Sequence, residues 1–228
     1  MATYIAKGTK CSTCQKMNAS TVSSGTSCTV QGSYDYIFRT FLQFDLSGIP
    51  EDASIISATM YVLSNDYYND NAMSGTTNIA RVTSEWDETT CCWNNMPSWT
   101  GNYLTSNVNP PKSGKWAEWD ITTLVQEWVY GCYPNYGLHV RNNNEGGYRF
   151  DWGFYTYKYD IHNSDDGDDT NNRGAYIKIE YTEPTESTRF RIRTVTLTDI
   201  ANETRRLAGT SSKLTPLEIA EILSSLKK

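Results

Sequence analysis

The sequence predicts a mainly β protein: a jelly-roll β-sandwich with one short helix, followed by a small C-terminal helical hairpin. Three observations support this class. Short apolar and aromatic runs alternate with polar positions and are separated by Gly, Pro, Asn and Asp. Ser, Thr and Asn supply 67 of the 228 residues and aromatics 29, while only 20% of the chain is charged, which favours strands and turns. The composition also changes abruptly near residue 182.

Seven segments of the first 182 residues have the β-branched, aromatic and apolar composition of strands. They are residues 36–46, 55–64, 78–82, 116–121, 136–140, 148–158 and 175–181. Residues 122–131 differ, because Leu124, Val125 and Trp128 recur at helical spacing, Thr122 can act as N-cap and Gly131 can end the helix. These segments predict two packed sheets with one helix between two strands.

The change of composition predicts a domain boundary. All 16 Tyr, 7 Trp and 6 Cys precede residue 182, and Phe190 is the one aromatic residue after it. Residues 1–182 have a net charge of −8 and residues 183–228 one of +2. Pro184 interrupts any strand in the polar stretch between them. We therefore predict a sandwich over residues 1–182, a linker over 183–188 and a second module over 189–228.

The second module has the pattern of a strand followed by two helices. Basic and apolar residues alternate over residues 189–193, and residues 197–209 form a capped helical segment that ends at Gly209. In residues 214–228, Thr215 and Glu218 form a capping box. Two helices of about three turns bury too little apolar surface to form a core alone, so we expect attachment or oligomerisation. The predicted attachment residues are Ile200, Leu207, Leu217, Ile219, Ile222, Leu223 and Leu226.

Several classes of protein are disfavoured. No apolar run approaches the length of a membrane span, and the N-terminus lacks the charged and apolar blocks of a signal peptide. We therefore expect a soluble chain that starts here, without membrane insertion. The isoelectric point near 5.0 argues against a nucleic-acid partner, because phosphate binding needs a basic face.

Three stretches resemble the DNRLRE-type domain family in order and spacing. They are RTFLQFDLSGIPEDASIISATMYVLS (39–64), WDETTCCWNNMPSW (86–99) and WAEWDITTLVQEWVYGCYPNYGLHV (116–140). The resemblance covers residues 3–181 and implies a jelly-roll sandwich of secreted and surface proteins that in several cases binds carbohydrate. The chain lacks a literal DNRLRE string, and Cys91 and Cys92 stand where the family usually has Val and Thr.

The segment TLTDIANETRRLAGTSSKLTPLEIAEIL (196–223) resembles a helical segment that recurs in tail and fibre proteins of phages of Gram-positive bacteria. Together the two resemblances imply a non-enzymatic virion structural protein at the particle surface. Its C-terminal helices would contact other virion proteins, and its sandwich would be displayed for adhesion to host glycans or for decoration. Fibre-like proteins often assemble with cyclic symmetry, so a homo-oligomer is one expectation. The alternative is a secreted bacterial carbohydrate-binding or cell-surface module.

Aromatic residues are the candidates for sugar binding, because their flat faces pack against the C–H face of a pyranose. Both faces of the strand at residues 148–158 carry aromatics, which allows either cross-strand packing or a ligand platform. Trp86, Trp93, Trp119 and Trp128 stand at recurring family positions, and we expect them in the core. The candidate ligand-binding residues are Trp99, Tyr103, Trp152, Tyr155 and Tyr157, and among them Trp99 and Trp152 are expected to be exposed.

An acidic loop at residues 161–174 is a candidate calcium site. Asp165, Asp166, Asp168 and Asp169 surround Gly167, and clustered carboxylates are what a hard cation requires. The alternative is a solvated hairpin tip, since no distal Glu stands at the spacing of an EF-hand.

The six cysteines allow three interpretations: up to three disulfides, a zinc site, or free buried thiols. They are Cys11, Cys14, Cys28, Cys91, Cys92 and Cys132. Adjacent cysteines on a strand point to opposite faces, so Cys91 and Cys92 are not expected to bond each other.

Few residues indicate catalysis. His139 and His162 are the two histidines, and no nucleophile elbow, phosphate loop or HExxH motif occurs. Two pairs of acids stand at alternate positions, Glu85 with Asp87 and Glu118 with Asp120, but nothing in the sequence places them at a cleft. We therefore expect a protein that is not an enzyme.

Overall fold

The computed structural model describes residues 1–33, 36–68, 77–101, 111–143, 145, 150–158 and 174–183. All of them belong to one unit of the chain, Met1–Glu183. The hairpin predicted over residues 189–228, with its attachment residues, lies outside the described residues. That hairpin and the division at residues 183–188 therefore stay predictions.

Nine strands and one α-helix occur in the described part of the chain. The strands are β1 (Ala2–Gln15), β2 (Ser27–Ser33), β3 (Tyr36–Phe44), β4 (Ser54–Tyr68), β5 (Thr77–Arg81), β6 (Trp116–Asp120), β7 (Leu138–Asn142), β8 (Phe150–Tyr155) and β9 (Tyr176–Thr182). The helix α1 spans Thr122–Val129, and a single 3-10 turn spans Trp93–Asn95. The prediction of a mainly β chain with one short helix is confirmed.

The strands form two antiparallel sheets that share two long strands. In the first sheet the order is β1, β9, β4, β6. In the second sheet β3 pairs with β1, β2 and β7, β2 pairs with β8, and β7 pairs with β5. Residues 2–7 of β1 pair in the first sheet and residues 8–15 in the second, with a shift of register between Gly8 and Lys10. β4 likewise turns to pair with β8 from Ser64 onward, so the sheets close as a sandwich.

Sequence reasoning missed β1 and β2. These segments contain lysines, serines, cysteines and glycines, so they lack the apolar alternation typical of a strand. Long-range pairing supplies their backbone hydrogen bonds instead: β1 pairs with β9 and β3, and β2 with β3 and β8.

The core lies between the sheets, as the alternation of the strands requires. Met60 of β4 and Trp119 of β6 are fully buried, and the Trp119 ring centroid lies 5.8 Å from that of Trp152 on β8. Trp86, Trp119 and Trp128 are buried as predicted, whereas Trp93 is half-buried.

The helix α1 covers this core with the predicted residues Leu124, Val125 and Trp128. Its N-cap is Ile121, so the prediction that Thr122 caps the helix is wrong. The Thr122 hydroxyl instead donates to Asp120 Oδ1 (2.7 Å) and accepts from Ala58 N (2.9 Å), which ties the helix to β6 and β4. Gly131 follows the helix with φ +69°, a conformation that favours glycine.

A second apolar cluster covers the outer face of the second sheet. Residues 82–100 cross this face, and Val82, Trp86 and Cys91 pack on Cys14 of β1 and Phe41 of β3. Within the described residues no helix has the length and apolar character needed to cross a membrane.

Candidate functional site

Three aromatic side chains share the outer face of the first sheet. Tyr61 lies on β4, between Trp116 of β6 and Tyr176 of β9. Tyr61 pairs in register with Tyr176, and Trp116 pairs with Leu63, two residues along β4 from Tyr61, so all three side chains leave the same face. Met60 points the other way and is fully buried. We call Tyr61, Trp116 and Tyr176 the aromatic patch.

The rings of the aromatic patch contact one another. Tyr61 and Tyr176 stack with centroids 5.0 Å apart and an interplanar angle of 15°. Trp116 stands nearly perpendicular to both, with its centroid 5.6 Å from that of Tyr176 and 6.4 Å from that of Tyr61. Trp116 remains 38% exposed. The sheet therefore holds an apolar surface in a defined geometry and open to solvent.

Charged side chains continue this face along the strands. Glu118 pairs in register with Tyr61, and Lys178 and Glu180 follow Tyr176 at alternate positions of β9. Lys178 Nζ lies 3.3 Å from Glu180 Oε1, and both side chains are more than a third exposed. Hydrogen-bond donors and acceptors therefore surround the apolar rings.

The pKa of Tyr176 is raised, mainly because burial disfavours the phenolate and further because Tyr61 and Glu118 lie close to it. Its hydroxyl stays protonated at neutral pH and can both donate and accept a hydrogen bond. An exposed indole and two half-buried phenol rings, with hydroxyl, carboxylate and ammonium groups around them, have the chemistry that recognises a sugar: ring faces for C–H groups and polar atoms for hydroxyls.

The model of carbohydrate-binding module family 96 matches residues 8–154 of the chain, which is more than half of its length. The chain belongs to this family. The matched stretch contains Tyr61 and Trp116 of the aromatic patch, whereas Tyr176 on β9 follows it. No curated protein matches the chain.

Trp152 does not lie on a surface of the family 96 module. Its side chain is 0% exposed, its Nε1 donates to Ser64 Oγ (2.8 Å), and its ring contacts Trp119 and Phe154. The expectation that Trp152 is exposed is wrong, because β8 turns this side chain toward the first sheet. A fully buried indole has no face left for a sugar.

Trp99 is half-buried in the second apolar cluster of the module. Its ring centroid lies 4.5 Å from that of His139 and 6.1 Å from that of Phe41, and the Arg39 guanidinium lies 5.3 Å from the ring. The Trp99 ring therefore packs against His139, Phe41 and Arg39 within the module.

Arg39 links this cluster to an acidic partner. Its guanidinium donates two hydrogen bonds to Glu145, at 2.9 and 2.7 Å, and lies 4.6 Å from the Trp93 ring. A bidentate carboxylate pair holds the guanidinium plane in place. Arg39 is therefore engaged within the module.

Tyr155 and Tyr157 are half-buried. The Tyr157 hydroxyl donates to Thr9 O (2.9 Å) and lies 3.2 Å from Glu88 Oε2, while its ring packs so closely on Gly8 that a Cβ there would overlap it. Burial raises the pKa of Tyr157, and Glu88 raises it further. These contacts give Tyr157 a structural role at the bend of β1.

The remaining ligand candidates lie outside the described residues, whereas all six cysteines lie within them. Tyr103 and the calcium candidates Asp165, Asp166, Asp168 and Asp169 lie outside the described residues. Where the chain is described, no group of three or more His, Cys, Asp or Glu side chains is placed to hold a metal ion. No two of the six cysteines are joined in the structure; Cys132 is exposed and the other five are buried.

The aromatic patch was missed by sequence reasoning, although each of its strands carries a signal. Trp116 alternates in phase with Glu118 and Asp120, and Tyr176 with Lys178 and Glu180. Alternate residues of a strand share one face, so an aromatic residue that alternates with charged residues faces solvent together with them. This alternation with charged residues distinguishes Trp116 from Trp152, whose strand carries aromatic residues on both faces.

Proposed function

We propose that this family 96 module is a non-catalytic domain that binds polysaccharide through the aromatic patch. The observation that carries the proposal is the placement of Tyr61, Trp116 and Tyr176 on three adjacent strands, with Trp116 open to solvent. Because sheet hydrogen bonds hold the rings before any ligand arrives, binding costs little conformational entropy.

The face around the patch suits an extended ligand. Lys7, Tyr176, Tyr61 and Glu118 are successive register partners across β1, β9, β4 and β6. Three strand spacings of about 4.8 Å give this row a length of about 14 Å. A polysaccharide lying along the row would meet the stacked tyrosines at its centre and a charged side chain at each end.

The paired acids support a binding role over a hydrolytic one. Asp120 Oδ1 accepts hydrogen bonds from Thr122 N and Oγ1, at 2.9 and 2.7 Å, and Asp87 Oδ1 accepts equivalent bonds from Thr89 N and Oγ1, at 2.8 and 2.7 Å. These bonds lower the pKa of both carboxyl groups. One member of each pair is therefore committed to a local turn and kept ionised, which does not suit a general acid.

Membership of the family supports a carbohydrate-binding module, which fits the alternative named above, a secreted bacterial carbohydrate-binding or cell-surface module. The virion location rests on the resemblance of residues 196–223 alone and stays a prediction. Deleting residues 189–228 tests the attachment role predicted for them, because a particle protein that incorporates equally well without them does not use them for attachment.

Binding is tested with the full chain on a panel of polysaccharides: a neutral glucan, chitin and a polyuronate. We expect at least one to retain the wild-type protein. Trp116→Ala should then weaken binding on the order of 30-fold, the loss that follows removal of a central aromatic anchor worth about 2 kcal/mol.

Tyr36→Ala is the matched control, because Tyr36 is 50% exposed and lies on β3 of the second sheet. It should bind like the wild type. Unfolding midpoints of both variants show whether the fold is intact. Failure of the wild type to bind any member of the panel, or equal binding by Trp116→Ala, would contradict the proposal.

A further inference from the structure

Two cysteines distant in sequence meet beneath the segment that covers the second sheet. Cys14 Sγ on β1 lies 3.5 Å from Cys91 Sγ, and the residues stand 77 positions apart. The side chains are 0% and 1% exposed and pack in the second apolar cluster with Phe41, Val82 and Trp86.

The backbone around these thiols is already held in place. Lys10, Ser12 and Cys14 alternate along β1 and face the covering segment. Lys10 Nζ donates to Trp86 O (2.9 Å), and Ser12 Oγ donates to Cys91 O (2.9 Å). These contacts hold β1 and residues 86–91 together, and the sulfur separation has to shorten only from 3.5 Å to the roughly 2.05 Å of a disulfide.

We propose that Cys14 and Cys91 form a disulfide bond when the protein folds in the presence of a disulfide oxidant such as glutathione disulfide. This cross-link fastens residues 82–100 to β1 and joins two residues that stand 77 positions apart. It is independent of the proposed sugar binding, since the aromatic patch lies on the other sheet.

The exchange balances with one glutathione disulfide. The Cys91 thiolate attacks one of its sulfurs, a mixed disulfide forms, and one glutathione thiolate leaves and takes up a proton. Cys14 loses its proton to solvent and attacks the Cys91 sulfur, which releases the second glutathione. The two cysteines lose two electrons, and the oxidant is reduced to two glutathione thiols.

The order of attack follows from the hydrogen bond between the thiols. The pKa of Cys91 is lowered, first by the hydrogen bond from Cys14 and then by Ser12, whereas the pKa of Cys14 is raised. Cys91 is therefore the better nucleophile of the pair. Because both thiols are buried in the folded protein, the exchange takes place late in folding, when the two thiols already share this hydrogen bond and glutathione disulfide still reaches them.

The other cysteines have different neighbours. Cys92 Sγ donates to Asn95 Oδ1 (3.0 Å). Cys11 lies on the opposite face of β1 from Cys14 and packs in the main core beside Cys28. Cys132 is exposed. Cys92 is thus the natural control, since it adjoins Cys91 while its own thiol is hydrogen-bonded to Asn95.

The test refolds the full chain from urea in glutathione buffer, blocks free thiols and maps tryptic peptides by mass spectrometry. Trypsin leaves Cys11 and Cys14 together on residues 11–16, and Cys91 and Cys92 together on residues 82–112. We expect these two peptides joined in the wild type and in Cys92→Ala, and separate in Cys14→Ala and Cys91→Ala.

A second readout is the unfolding equilibrium constant. Closing this loop should lower the constant about a thousandfold in oxidised wild-type protein relative to protein kept in dithiothreitol. Absence of the joined peptides from refolded wild type would overturn the proposal, and so would their persistence in Cys14→Ala. The mapping on the wild type does not depend on whether any variant folds.

Discussion

Acid should destabilise this protein through one buried histidine. His139 on β7 is 0% exposed and lies between the rings of Phe41, 4.8 Å away, and Trp99, 4.5 Å away. Neither ring nitrogen has a hydrogen-bond partner among the described residues. Burial, and to a smaller extent the positive charge of Arg39, lowers the pKa of His139 from 6.5 to about 3.

The sign of the effect follows from where the proton binds. The unfolded chain protonates His139 below pH 6.5, whereas the folded chain resists protonation down to a pH of about 3. The contribution of His139 to stability is therefore complete above pH 6.5 and is lost as the pH falls through this window. Each pH unit costs about 1.4 kcal/mol, so the free energy of unfolding should drop by about 3 kcal/mol between pH 7 and pH 4.5.

Urea denaturation at several pH values measures this loss, and His139→Phe removes its cause. Phenylalanine keeps a planar ring between Phe41 and Trp99 and carries no titratable group. Carboxyl groups contribute equally to both curves, so the difference between wild type and variant isolates His139. His162→Phe, which removes the other histidine, should retain the acid loss.

Parallel curves for the wild type and His139→Phe between pH 7 and pH 4.5 would refute this reasoning. They would mean that His139 takes up its proton as readily in the folded chain as in the unfolded one. The buried ring would then have a hydrogen-bond acceptor or solvent access that the described contacts do not provide.

Two further predictions concern packing. Trp152→Ala should lower the free energy of unfolding by about 3–5 kcal/mol, because it leaves a cavity in the core. Tyr36→Ala, at an exposed position, should change it by no more than about 0.5 kcal/mol. Urea denaturation midpoints compare the two variants, and equal midpoints would count against the assignment of Trp152 to the core. Gly137→Ala should destabilise by at least about 1–3 kcal/mol, because Gly137 has φ +89° and a Cβ would overlap the Leu42 carbonyl oxygen. Gly25→Ala, where a Cβ meets nothing, should melt close to the wild type.

Local patterns predicted the parts of the fold that depend on local chemistry. Leu124, Val125 and Trp128 form the buried face of α1 because their spacing matches the helical repeat. Gly131 ends the helix region because glycine readily adopts positive φ. β1 escaped prediction, since its fourteen residues become a strand through pairing with β9 and β3.

The candidate site shows the same division. Alternation separates the two faces of a strand, but it does not say which face is covered. Trp152 was therefore assigned to solvent although it lies in the core, and Trp116 was passed over although the charged phase of β6 already indicated its exposure.

By itself the sequence determined the class of fold, the position of the helix and the abundance of aromatic residues. Strand alternation and helical spacing are patterns of residues close together in the chain, and composition is read directly from it. Only the tertiary structure decided that Tyr61, Trp116 and Tyr176 share one face and that Cys14 meets Cys91. These residues are brought together by strand order and register, which pair segments far apart in the chain. Burial between two sheets then selects which aromatic rings remain at the surface.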